Sequence, residues 1–518
     1  MRKSDHLFLL IKSLTKSEKR HFKLSMQTRE KNYTRLFDAI DAQKTYDEKA
    51  IKKKFEKDPS FKRLPYIKIY LYEQILKKLR TYYDGQSSRI QLNNYLNDIE
   101  FLFRKELYSD CYELVKKAKK FAIKYERHVY LFSLINWEMM LTWTLQEQEQ
   151  IKQLQKKAAE EWQDITLESQ ELNDLRKIHF ETMFNMQTQG FARSEHEMSG
   201  IEEISEHPVM KKLSGTQQMQ LTRNAIRVNI ARLRGNFEEG YLLMKQRALI
   251  WEQKPHLIIE NLNNYIQNTI VLAGNGATLF KIMEAEEELQ KIKKLCDINP
   301  GEVYLSNKFS IRIMEIRILC KGGKYEMAAK LLPAMMHFAE TNWSQLALLH
   351  ELNYYHVIFG VHFGTSDFDK AHSYLSKVIN FPKPVNVNLQ NQARIINLIL
   401  QYERKEFIYL GHLLSSTYRF LLKNKRIYET ENIIIDFIRS AFRFTSPKDI
   451  LKGLAEMKKK VMILQDEPFE RNFMEQFPLI EWIDSKLQNR PLAEIIRERC
   501  QEAIVKEKKD SNKFMVPR

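Results

Sequence analysis

The sequence predicts an all-α protein, an α–α superhelix of stacked helix pairs, and three observations carry that reading. Glycine (15) and proline (13) are scarce over 518 residues, so turns that need positive or fixed φ are few and long helices are favoured. Apolar residues recur at helical spacing through most of the chain. One ten-residue stretch, Gly323-Lys324-Tyr325-Glu326-Met327-Ala328-Ala329-Lys330-Leu331-Leu332, returns in variant form along the sequence. A single compact core stops growing near ~250–300 residues, so this length calls for several domains or an elongated repeat array.

Residues 1–85 read as four or five helices. His6 to Lys12 is a short apolar helix, and Thr15-Lys16-Ser17-Glu18 is a capping box that opens a basic helix through Lys23. Tyr33, Leu36, Phe37 and Ile40 share one face of a third helix. Thr45-Tyr46-Asp47-Glu48 reads as a second capping box, opening a helix with Ile51 and Phe55 that Asp58-Pro59-Ser60 ends. Pro65 suits a first turn and starts a helix to about Tyr83, apolar almost all round and so expected to be buried.

Nearly pure helix follows from 87 to 190, with helices over Asp110–Tyr125 and Val129–Leu145. Residues 146–175 are rich in Glu and Gln and read as exposed helix, with Ile151, Leu154 and Trp162 as an apolar thread. Beyond Gly190 the breaks are His207-Pro208, Gly274-Asn275-Gly276, Asn299-Pro300-Gly301 and Phe381-Pro382-Lys383-Pro384. The last helices are expected near Phe469–Leu487 and Leu492–Glu507, and the polar stretch from Lys506 to Arg518 is expected to fray.

Aligning on the aromatic of the ten-residue stretch gives five copies, headed by Tyr108, Phe237, Tyr325, Phe368 and Phe407. Three residues on comes a small side chain in four of them (Cys111, Gly240, Ala328, Ala371), and apolar pairs follow six and seven residues on. Phe280 and Ile450 head two weaker copies. The period is close to 43 residues, and the interval from 108 to 237 is three times that, which calls for two further copies near 151 and 191. Such a unit holds two helices of roughly 18 residues, each ~27 Å long. One pair cannot bury its apolar stripe alone, so neighbouring pairs stack.

Gly323 to Leu332 resembles the start of the second helix of a tetratricopeptide repeat, as do Gly235-Asn236-Phe237-Glu238-Glu239-Gly240 and Asp367-Phe368-Asp369-Lys370-Ala371. The resemblance implies an α-solenoid that binds peptides or proteins on its concave face. The unit here is longer than that family's 34 residues, and the Trp-Leu-Gly-Tyr signature of its first helix is not evident. Ser4-Asp5-His6-Leu7-Phe8 and Trp482-Ile483-Asp484-Ser485-Lys486-Leu487 also resemble segments of helical-repeat proteins of Bacteroidetes-type bacteria, which implies a bacterial source and no activity.

The domain plan that follows is a basic helical segment (1–85), a repeat stack (86–460), capping helices (461–507) and a tail (508–518). The net charge is +17. Residues 1–85 hold 22 Lys and Arg against 11 Asp and Glu, a net +11, which leaves +6 for the other 433 residues. Lys52, Lys53, Lys54, Lys57, Lys62 and Arg63 cluster beside a helical hairpin followed by Tyr66, Tyr70 and Tyr72. That pattern grips phosphates by counterion release, or is a solvated basic face over core tyrosines.

Four cysteines lie far apart with no CxxC, which argues against a disulfide framework or a cysteine metal site. The apolar run after Lys3 is too short for a signal peptide, and no stretch reaches a membrane span, so a cytoplasmic protein is expected. His350-Glu351 with His356 is not HExxH, because the second His falls at i+6 and points away. Gly274-Asn275-Gly276 lacks the residues of a phosphate loop, and no GxSxG occurs. No catalytic residue, cofactor or metal is called. The expected function is a non-enzymatic scaffold or adaptor for a protein or peptide partner. The alternative is a nucleic-acid-associated regulator that reads with residues 1–85 and senses with the stack.

Overall fold

The computed structural model describes residues 6–26, 31–85, 87–145, 148–188, 195–212, 214–382, 385–423, 428–464, 467, 470, 473–474 and 477–513. The chain is all-α, with no strand among the described residues. It divides into two compact units, 1–167 and 168–518. No helix among the described residues is long and apolar enough to cross a membrane.

The first unit holds α1 (His6–Ser13), α2 (Lys16–Ser25), α3 (Lys31–Asp41), α4 (Glu48–Lys54), a 3-10 turn (Pro59–Phe61), α5 (Leu64–Tyr82), α6 (Ser88–Arg104), α7 (Tyr108–Lys124), α8 (His128–Leu145) and the start of α9 (Gln148–Thr188). Thr15 and Glu18 cap α2 reciprocally, as their spacing requires. Ile11, Phe22, Leu36, Phe37, Ile40, Leu71 and Ile75 close one core. Leu92, Ile99, Cys111, Val115 and Leu134 form a second, where α6, α7 and α8 pack in sequence order.

Two expectations here are corrected. α4 is capped by Asp47, whose Oδ1 accepts from the amide of Ala50 at 3.0 Å. Its N3 residue is alanine, so no box closes and Thr45 lies outside. α5 is not buried all round: Leu71 and Ile75 face the core, while Tyr66 (72% exposed) and Ile69 (59%) stand on the opposite side, since only one face of α5 meets α1, α2 and α3.

α9 is 41 residues long, about 60 Å of continuous helix. It occupies the place where a repeat near 151 was expected, so no helix pair lies there. Its buried thread in the first unit runs through Ala158 and Ile165, with Trp162 exposed.

The second unit continues with the remainder of α9, α10 (Glu195–Glu206) and α11 (Pro208–Lys211), again no repeat pair near 191. Six helix pairs follow: α12 (Gln217–Leu233) with α13 (Phe237–Glu252), α15 (Leu262–Thr278) with α16 (Ile282–Ile298), and α17 (Leu305–Lys321) with α18 (Tyr325–Asn342). Then come α19 (Leu348–Gly364) with α20 (Phe368–Ile379), α21 (Val387–Glu403) with α22 (Phe407–Lys423), and α23 (Glu429–Ala441) with α24 (Pro447–Ile463). A short α14 (Pro255–Glu260) separates the first two pairs. Each pair packs on the next in chain order.

The aromatics Tyr108, Phe237, Tyr325, Phe368 and Phe407 are each the first residue of a helix. The small residue three positions on is buried against the preceding helix: Cys111, Ala328 and Ala371 are fully inaccessible. Two residues before each aromatic the chain takes positive φ, at Glu106, Gly235, Gly323, Ser366 and Lys405 (φ 60–70°). There the amide of the positive-φ residue donates to the carbonyl three residues back, and the next amide donates to the carbonyl five residues back. That is a Schellman motif, which satisfies two of the orphan carbonyls at a helix end.

The same motif occurs at Phe280 (φ 59°). Phe280 therefore sits in the turn, and Ile282 is the first helical residue of that copy. The register assigned from the aromatic is corrected by two residues. Ala285 then falls at the small position and is 1% exposed.

Gly274-Asn275-Gly276 is not a break. It is the last turn of α15, where a Cβ on Gly274 would lie 2.8 Å from Met314 Cε and one on Gly276 3.3 Å from the Tyr241 ring. The glycines allow neighbouring helices to approach closely.

After α24 the chain turns back. α25 (Leu479–Leu487) and α26 (Leu492–Lys513) pack along the ends of pairs already formed. Trp482 of α25, 2% exposed, donates its indole N–H to Glu403 Oε1 at 2.6 Å, and Lys486 pairs with Glu403 Oε2 at 2.6 Å. Ile496 and Cys500 of α26 are buried with Ile282, Ile318 and Tyr325. α26 continues through Lys513, so the stretch from Lys506 is helical where fraying was expected, and Phe469 lies outside the described residues.

Candidate functional site

In the first unit, the six basic residues singled out by sequence lie on the last turn of α4, the following loop and the approach to α5, and all six are exposed. Lys52 pairs with Glu48 at 3.3 Å. Lys53, Lys54, Lys57, Lys62 and Arg63 have no carboxylate within ion-pair distance among the described residues. Asp58, next to Lys57, is engaged by Arg35 at 2.7 Å, and the exposed Glu56 pairs with none of these cations. The Arg35 guanidinium and the Ser60 amide hold the Asp58 carboxyl below its usual range. Tyr66 and Tyr70 are exposed beside this surface, against the alternative that they are core residues, while Tyr72 is half-buried.

In the second unit the ends of α15, α17 and α19 and the returning helices α25 and α26 enclose a cavity of about 620 Å³. Arg317 and Lys321 enter it one turn apart from α17, His356 from α19, and Glu481 and Arg499 from α25 and α26. Phe280, Met314, Phe359, Phe363 and Ile480 supply apolar wall. Arg499 and Glu481 neutralise each other at 2.6 Å. Arg317 makes one hydrogen bond, to Asn353 Oδ1 at 2.9 Å. The buried Nε2 of His356 has no partner. Burial, then the neighbouring Arg317 and Lys321 charges, push the His356 pKa down to about 3, so the ring is neutral near pH 7.

His350, the other member of the discarded HExxH look-alike, faces Phe309 instead, with ring centroids 6.0 Å apart. Among the described residues no three metal-ligating side chains converge. All four cysteines are free. Burial pushes the Cys320 thiol up to about 12 and the Cys500 thiol up to about 11, far from the thiolate that nucleophilic chemistry needs.

Sequence reasoning located the basic surface and missed the cavity. A signal was present: Arg317 and Lys321 stand one turn apart on α17, next to the buried Ile313, Met314, Ile316 and Ile318. Which helix ends converge on them is a tertiary fact.

No protein-family model matches the chain, and no curated protein is detectably similar to it.

Proposed function

We propose that the protein is a non-enzymatic helical-repeat scaffold, tetratricopeptide-like in plan, that binds a protein or peptide partner. The observation that supports this reading is the six stacked pairs of the second unit, five of them closed by the same Schellman turn. A surface built on rigid helices loses little ordering entropy on binding. The test is affinity capture on the full-length chain, followed by reconstitution with the purified candidate and calorimetry. A stoichiometric complex is expected. Failure of every captured candidate to rebind, across several growth conditions, overturns the proposal.

The alternative, a nucleic-acid-associated regulator, is favoured by one observation: five exposed cations with no carboxylate partner among the described residues, beside exposed Tyr66 and Tyr70. Counterion release makes binding fall steeply with salt. On this reading the full-length chain binds a duplex or single-stranded oligonucleotide at low salt. Replacing Lys53, Lys54, Lys57 and Lys62 by Glu abolishes that binding and leaves the helical circular dichroism unchanged. A parent protein that ignores nucleic acid at low salt sinks the alternative.

A further inference from the structure

The second unit carries a site that neither reading uses. We propose that the cavity beneath α25 and α26 binds a small organic anion, a carboxylate or phosphate ester, with its charged group against Arg317 and its apolar part against Phe359 and Met314.

Charge points to an anion. A half-buried guanidinium in a cavity favours a counter-charge, and Arg317 is offered only the neutral oxygen of Asn353. Of the two carboxylates that line the cavity, Glu481 is committed to Arg499 and Glu238 makes no ion pair with Arg317. Among the described residues no carboxylate lies within ion-pair distance of Arg317, so its charge is met there by none of them. A guanidinium presents a planar fork of N–H donors that matches the paired oxygens of a carboxylate or phosphate. A bound cation would be repelled by Arg317, and a neutral molecule would leave the guanidinium without a counter-charge.

Size and wall chemistry point to a small amphipathic ligand. About 620 Å³ lies within the range of small-molecule sites, ~300–1,000 Å³, which are mostly apolar with a few convergent polar groups. A Cβ added to Gly360 meets nothing within 4 Å, although Gly360 lines the cavity. The space is open where a ligand body would lie.

The site stands or falls independently of the partner-binding proposal. Purified full-length protein is titrated calorimetrically, and its thermal unfolding followed, with phenyl phosphate and phenylacetate as the two arms. Phenylacetamide and benzylamine serve as the neutral and cationic comparisons. One or both anions are expected to bind and to raise Tm by mass action, while phenylacetamide and benzylamine do neither; the stronger arm identifies the group. Arg317→Met should weaken anion binding at least about tenfold and, unliganded, unfold no lower than the parent, because it removes an uncompensated charge. A merely structural arginine would lower Tm. Gly360→Leu fills the open space, so it should abolish binding with Tm little changed, and it carries the test should Arg317→Met not fold. Absence of anion binding, or parent-like binding by both variants, overturns the proposal.

Discussion

Gly323 separates the cost of a turn from the cost of a docked helix. Its φ of +69° is shared by Glu106, Phe280, Ser366 and Lys405 in equivalent turns (φ 59–62°), so the backbone conformation alone does not demand glycine. The demand comes from α26: a Cβ on Gly323 would lie 2.5 Å from the carbonyl oxygen of Ala493 and 2.9 Å from Arg497 Cγ. A carbon and an oxygen in ordinary contact stay near ~3.3 Å or beyond, so Gly323→Ala must push the α26 backbone back by most of an ångström. An alanine at positive φ costs about 1–2 kcal/mol, offset by about 0.4–1 kcal/mol of unfolded-state entropy. Loosening Ile496 and Cys500, buried beneath α26, adds about 1.5–3 kcal/mol.

The sum is about 2–4 kcal/mol, and Ser366→Ala, with the same turn and no α26 above it, should cost less than about 0.5 kcal/mol. Urea denaturation measures both. Cys500, buried with its Sγ 3.4 Å from the carbonyl oxygen of Lys321, supplies a local readout. Its labelling by a thiol reagent, mapped by mass spectrometry, should accelerate in Gly323→Ala and not in Ser366→Ala. Equal stabilities of the two variants with unchanged Cys500 labelling would refute the reasoning.

Three further outcomes follow from the same packing. His179, His350, His356, His362 and His372 all have pKa values lowered chiefly by burial, so the unfolded chain takes up their protons first. Their stability contribution is complete above about pH 6.5 and drains as pH falls, for His356 down to about pH 3. His356→Leu should flatten the decline of the unfolding free energy from urea titrations between pH 6.5 and 4 by up to about 1.4 kcal/mol per pH unit; an unchanged slope counts against a neutral buried ring. Among the glycines, Gly364→Ala would bring its Cβ to 2.1 Å from the buried Tyr325 ring and should cost more than about 3 kcal/mol. Gly274→Ala meets only the flexible end of Met314 at 2.8 Å and gains about 1 kcal/mol of helix propensity, so calorimetry should place it within about 1 kcal/mol of the parent.

The repeat was legible through its buried positions and obscure through its turns. Aromatic, small and apolar residues recur because the same three contacts recur at each joint. The positive-φ position is filled by Glu, Gly, Phe, Gly, Ser and Lys in turn, because two hydrogen bonds hold it whatever the side chain. Aligning on aromatics therefore placed Phe280 two residues out of register. Gly274-Asn275-Gly276 reads locally as a turn, and only the proximity of Met314 and Tyr241 explains it as helix. The basic surface was visible because its charges are consecutive. The cavity was not, because Arg317, His356 and Arg499 lie 39 and 143 residues apart along the chain.

The return of α25 and α26 has a consequence for the order of events during synthesis. Successive pairs exchange contacts over some forty residues, so they can settle as they emerge from the ribosome. The Trp482–Glu403 and Cys500–Lys321 contacts span 79 and 179 residues, and the helices that make them are translated after all six pairs. The stack can thus assemble early and still breathe, until its last helices arrive and fasten it.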